Sequence, residues 1–218
     1  MRNRILGYFL TAAGILLALC LLATSLAEAH ANSATPQSRY YMIVWAYQGP
    51  DDDLVHAHTF TSFYRGDDIA SGHVRPSTIS WLPKTGNVVP FGAEEGRNFS
   101  LDETLSLACQ AGRDVKSWGP YEIKPELYRS AMRRLKLLHS HRIRYAMMGG
   151  PNAMNCITAA GDLTPRRLDT GILWGVAASD AVVRHLSPYI VGPAYIEGLT
   201  PRVCGVKPGP VTASSEGN

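Results

Sequence analysis

The sequence predicts an α+β domain in which an antiparallel sheet packs against helices. Two observations carry this. Strand-like segments come first, then helices, a further strand and more helices, which is not the regular alternation of a parallel sheet. The composition, 45% hydrophobic against 18% charged residues, suffices to fill one core behind a targeting segment. It also excludes a disordered acidic or basic chain. With 21 basic and 18 acidic residues there is no electrostatic case for nucleic acid as a partner.

The N-terminus reads as an address. Arg2 and Arg4 precede an uncharged run from Ile5 to Ala27, followed by Ala27-Glu28-Ala29 and Ala29-His30-Ala31. A basic start, an apolar stretch and small-x-small sites predict a secretory signal over residues 1–31, cleaved after Ala31. The alternative is an uncleaved anchor associating with the membrane through residues 5–27, a run long enough to cross a bilayer. Leu19 before Cys20 does not suit a lipidation signal. The protein is therefore expected outside the cytoplasm, periplasmic or extracellular, or held at the inner membrane. Cleavage removes Cys20 and leaves Cys109, Cys156 and Cys204. In an oxidising compartment an odd count implies a free thiol or an intermolecular pair.

Residues 32–39 form a polar linker, and a single domain is expected over 40–204. Tyr40 to Tyr47 is a continuous apolar and aromatic run, too short for a typical helix, and predicts a strand. After the turn at Gly49 to Asp53, Leu54 to Tyr64 predicts a second strand that puts His56, His58 and Phe60 on one face. Gly66-Asp67-Asp68 breaks it, and Ser77 to Leu82 predicts a third strand that stops at Pro83.

Ser100-Leu101-Asp102-Glu103 is a capping box, opening a helix with Leu101, Leu105, Ala108 and Cys109 on one side and Gly112 at its end. A second helix starts at Pro125 and runs to His139, with Arg129, Arg133, Arg134 and Lys136 expected on a solvated face. Arg142 to Met148 alternates and predicts a fourth strand. A short helix is expected from Asn155 to Gly161. Another, capped by Thr170, should run from Gly171 to Leu186 with Ile172, Leu173, Val176, Val183 and Leu186 in the core. From residue 205 to 218 the chain reads as a disordered tail.

Two groups of residues could carry chemistry. Cys156 opens a helix after a glycine-rich turn, where unpaired N–H groups favour a thiolate and can hold an oxyanion. A thiol nucleophile needs an imidazole to take its proton, and His58 stands on a strand. The bland readings are a small buried cysteine at a helix start and a hydrogen-bonded core histidine. The second group is His56 and His58, two apart on one strand face, with His73 downstream; three imidazoles could hold zinc. No carboxylate or cysteine sits at ligand spacing, so neither a metal nor a cofactor is expected. His139 and His141 read as a helix C-terminal cap, and Glu122, after the Gly119-Pro120 turn, as a surface carboxylate.

His58-Thr59-Phe60 on a strand, then Asn155-Cys156-Ile157-Thr158 opening a helix, resembles the circularly permuted papain-like thiol hydrolases and acyltransferases of the NlpC type. The resemblance spans roughly residues 40–186 and rests on those two motifs. It implies a permuted papain-like fold and acyl transfer through a thioester, with Cys156 matching the nucleophile and His58 the base. The residue that orients the imidazole comes from the next strand, where Ser80 or Thr78 would match. The expected function is an exported cysteine hydrolase or acyltransferase acting on an amide or ester of the cell envelope, with a peptide, lipid or acyl substrate. The alternatives are a non-catalytic envelope binding protein of the same fold and a histidine-based metal site.

Overall fold

The computed structural model describes residues 38–51, 54–86, 88–196 and 199, and the backbone of 207–208. The expected signal, nearly all of the linker, and Cys204 lie outside the described residues. The chain runs β1 (Tyr40–Gln48), β2 (His58–Arg65), α1 (Gly66–Ala70), β3 (Ser77–Ile79), β4 (Trp81–Pro83), β5 (Glu94–Asn98), α2 (Leu101–Gln110) and β6 (Asp114–Ile123). It continues through α3 (Pro125–Leu138), β7 (Arg144–Tyr145), β8 (Ala153–Met154), α4 (Cys156–Gly161), α5 (Gly175–Leu186), β9 (Ile190–Pro193) and β10 (Lys207–Pro208).

The main sheet has the order β10-β6-β1-β2-β3, with β9 also paired to β6; a second sheet has the order β4-β5-β7-β8. Pairing in the main sheet is antiparallel except for β10 against β6. The fold is thus α+β, an antiparallel sheet packed against helices.

The β1 run is apolar without alternation because both its faces are covered. Met42, Val44 and Ala46 join Phe63 of β2 against Leu127 of α3, Ala160 of α4 and Val182 of α5. Ile43, Trp45 and Tyr47 join Phe60 and Tyr64 against Leu101, Leu105 and Ala108 of α2. The helices on the first face are pinned by hydroxyls. Thr61 donates to the Ala160 carbonyl at 3.3 Å, Thr59 to the Gly175 carbonyl at 3.4 Å, and Ser179 to the Trp45 carbonyl at 3.0 Å. Close approach also demands glycine: a Cβ on Gly161 would lie 2.5 Å from Val182, so only glycine lets α4 end against α5.

Several expected elements are displaced. The second strand begins at His58, not Leu54; Leu54–His56 is a turn of 3₁₀ helix. Gly66 to Asp68 opens the short helix α1. The third strand is two strands in two sheets, because the chain changes partner at Ser80: Thr61 pairs with Ile79, whereas Trp81 pairs with Asn98. The expected turn at Gly119-Pro120 lies inside β6, whose two ends pair continuously with β1 around a register shift at Met42/Val44. Glu122 is therefore a half-buried strand residue opposite Tyr41.

The fourth strand shrinks to Arg144–Tyr145. Helix α5 starts at Gly175 with Trp174 at its N-cap, and Ile172 (86% exposed) and Leu173 lie outside the core. Within the expected tail, Lys207–Pro208 pairs with Lys116–Ser117. The capping box at Ser100 and the helix starting at Pro125 stand where the sequence puts them.

Candidate active site: a buried cysteine and histidine

Helix α4 is six residues long and is held at both ends. At its start Asn155 is the N-cap: its Oδ1 accepts the Thr158 N–H at 2.8 Å, and its Nδ2 donates to the Met147 carbonyl at 2.9 Å. At its end the Arg134 guanidinium donates to the carbonyls of Thr158 (3.1 Å) and Asp162 (2.6 Å). Arg134 is thus a half-buried brace and not part of a solvated face.

Cys156 is the first residue of α4 and is 7% exposed. The backbone N–H groups of Thr59, Ile157 and Cys156 itself face its thiol and favour the thiolate, yet burial outweighs them and pushes the thiol pKa up. The sequence argument from the helix N-terminus points the other way; it fails because a six-residue helix offers too little positive potential to offset full desolvation. The thiol is nonetheless free. Cys109, expected as a buried thiol on the α2 stripe, is half-buried and disulfide-bonded.

The Thr59 amide that faces the thiol directly follows His58. His58 is fully buried on the α2 side of β2, beside the rings of Tyr47 (5.1 Å between centroids) and Phe60 (5.3 Å). Its Nε2 lies 2.9 Å from Ser80 Oγ, and its Nδ1 has no hydrogen-bond partner. Burial first, and then the Arg113 guanidinium, lower its pKa to about 3, so the ring is neutral at pH 7.

Ser80 can serve His58 because it occupies the break between β3 and β4. Its N–H donates to Asn98 Oδ1 at 3.0 Å, while Asn98 Nδ2 donates to the Thr78 carbonyl at 2.8 Å, and the Phe99 N–H donates to the Ser80 carbonyl. Asn98 therefore staples both sides of the break. Beyond Ser80, Thr104 Oγ1 of α2 lies 2.7 Å from Ser80 Oγ and 2.7 Å from the Ser100 carbonyl oxygen. Thr78, the other orienting candidate, pairs its hydroxyl with Ser62 at 3.0 Å and is not part of this chain of contacts.

Three residues that the sequence reading left out act on the imidazole or on the thiol. Arg113 sits 5.0 Å over the Tyr47 ring and hydrogen-bonds its phenol. Tyr47 and Tyr145 both feel the charge of a Cys156 thiolate, which adds to burial in raising their pKa values. Local sequence gives no sign of any of these, since Tyr47 and Tyr145 come from β1 and β7 and Arg113 from the turn before β6.

The zinc alternative loses its geometry. His56 is exposed in the 3₁₀ turn, His58 is enclosed, and His73 is exposed with Nδ1 against the Ser71 carbonyl. Among the described residues no cluster of histidine, cysteine and carboxylate could hold a metal. A cleft of about 840 Å³ lies between Gln48–Pro50, Lys116 and Trp118 of β6, and the start of α5; neither Cys156 nor His58 lines it. Comparison with family models, curated proteins and solved structures finds no match to this chain.

Proposed function

We propose that the protein is an exported cysteine hydrolase or acyltransferase of permuted papain-like architecture, acting on an amide or ester of the cell envelope. The observation that carries this is the unpartnered Nδ1 of a fully buried His58 whose other nitrogen is held by Ser80, one residue before the Thr59 amide that faces a free thiol. Buried polar atoms are nearly always paired, so an orphaned imidazole nitrogen is suited to act as a base awaiting a proton. Because both groups are neutral, the reaction starts from thiol and imidazole: His58 Nδ1 takes the proton as sulfur bonds to the acyl carbon. The N–H groups of Cys156 and Ile157 hold the oxyanion. Collapse expels the amine or alcohol, which takes the proton from His58, and water or an acceptor then cleaves the thioester.

Export is supported by the disulfide at Cys109, a bond that persists in oxidising compartments. Among the described residues no helix is long and apolar enough to cross a membrane, and the anchor alternative falls on residues that are not described.

The test is covalent trapping with p-nitrophenyl acetate. The expected result is acetylation of Cys156, seen by peptide mass, and its loss in both Cys156→Ser and His58→Ala. Acetylation elsewhere, or none, defeats the reading. A second reading, a binding protein of the same fold, is favoured by one observation: the apolar cleft beside Trp118 and Trp174 is open while the cysteine is enclosed. That reading predicts a protein that never acylates.

A further inference from the structure

We propose that the cleft beside α5 binds a dipeptide zwitterion, gripped at its ammonium by Asp114 and at its carboxylate by Lys116. The cleft holds about 840 Å³, within the range of pockets that take small ligands. It is separate from the thiol and does not depend on the acyl-transfer reading, since neither Cys156 nor His58 lines it.

Strand β6 lays out one wall of the cleft two residues at a time. Asp114, Lys116 and Trp118 share a face of the strand and all line the cleft: a carboxylate, an ammonium and an aromatic ring in order. Asp114 and Lys116 form no ion pair, with each other or with any other described residue. Asp180 lines the cleft too, but its charge is already answered by Arg184 one turn along α5. What is left is one negative and one positive charge, about 7 Å apart along the strand. A ligand of a single sign would meet its like at one of them, whereas a zwitterion does not. The spacing then selects among zwitterions. An α-amino acid is one residue long, about 3.5 Å, and an extended dipeptide spans about 7 Å.

Gln48 supplies what a peptide bond needs. It pairs with Asp114 across β1 and β6, and its Oε1 accepts the Val176 N–H at 3.1 Å, which leaves the amide nitrogen to donate to a peptide carbonyl. The same bond holds the start of α5 against the sheet, so this wall is built before any ligand arrives. Gly175 permits it: φ is +53°, and a Cβ there would lie 2.4 Å from Gln48 Oε1. The apolar part of the cleft comes from Trp118, buried as its floor, and from Leu173 and the exposed Ile172, which the fold leaves uncovered. The charges also set direction. With the amine at Asp114 and the carboxylate at Lys116, the second side chain falls at the Trp118 end.

Isothermal titration calorimetry of the full chain tests this. Ala-Phe should bind saturably at one site. N-acetyl-Ala-Phe, Ala-Phe amide, free phenylalanine and Phe-Ala should each bind more weakly. For the two capped forms the loss should be about 10- to 100-fold, the usual worth of a hydrogen bond to a charged group. Asp114→Asn should weaken Ala-Phe by a similar factor and leave N-acetyl-Ala-Phe unchanged. Lys116→Gln should weaken Ala-Phe and leave Ala-Phe amide unchanged. Failure of Ala-Phe to bind overturns the proposal, as does equal binding of any of the other four ligands. Variants that weaken free and capped dipeptides alike overturn it too, since the charges would then act on the fold and not on the ligand.

Discussion

His58 Nε2 and Ser80 Oγ meet at 2.9 Å, across 22 positions of sequence, at the point where the chain leaves one sheet for another. The strand break is what makes the contact. Pairing of β2 with β3 stops at Thr61↔Ile79, and Asn98 fixes Ser80 where β4 begins.

The two hydroxyl candidates should therefore separate cleanly. Ser80→Ala removes the hydrogen-bond partner of His58 Nε2 and should cut acetylation of Cys156 by about 10- to 100-fold. Thr78→Val loses only the bond to Ser62 and should stay near the wild-type rate. Equal losses in both variants would show that fold disruption, not ring orientation, is being measured.

Cys156 should behave as a buried thiol. Its pKa lies above the ordinary thiol value because burial wins over the facing N–H groups, and neutral His58 does not supply a cation. Iodoacetamide labelling of the native protein should keep rising as the pH is taken from 7 to 10. A plateau already reached near neutral pH would mean a preformed thiolate–imidazolium pair and would sink this account.

What the sequence disclosed and what it withheld divide by range of interaction. The Ser100 capping box, the Asn155 cap and the Pro125 start are local devices, so they are legible. Cys156 and His58 were legible as residue types in the right contexts, and Ser80 as one of two hydroxyls. β6 was not, because Gly119-Pro120 reads as a turn; the strand survives there because β1 and β9 pair with it on either side. Thr104, Arg113 and Tyr145 acquire their place only through packing. Thr104 alone left a faint mark, a hydroxyl in the interior position between Leu101, Leu105 and Ala108.

The enclosed imidazole should leave a signature in stability. Unfolded, His58 titrates near 6.5; folded, at about 3, because burial and then Arg113 penalise the cation. Between these values the unfolded chain binds a proton that the folded chain refuses. This contribution is therefore constant above pH 6.5 and is lost as the pH falls from there towards 3, by up to about 1.4 kcal/mol per pH unit. Urea denaturation at pH 7, 6, 5 and 4 should show a steeper decline for the wild type than for His58→Gln. Parallel curves would mean that the ring takes up its proton in the folded state.

Arg134 should matter to stability and, through it, to the thiol. Its guanidinium donates to the last carbonyls of α4, the only turn and a half of helix that carries Cys156. So short a helix has no stability of its own and depends on its caps and packing. Arg134→Met keeps the apolar stem and deletes both donors, leaving two carbonyls to find water. A loss of about 2 kcal/mol is expected, the size of a charge-assisted hydrogen bond. Arg134→Lys, with a single ammonium in place of a fork, should recover only part of it. The loss should not be uniform across the molecule. Opening of α4 becomes easier than global unfolding, so iodoacetamide should label Cys156 faster in Arg134→Met than in the wild type under native conditions. A variant equally destabilised in α2, such as Leu105→Ala, should change that labelling less. If both variants expose the thiol alike, α4 opens only when the whole domain does, and Arg134 is not its particular brace.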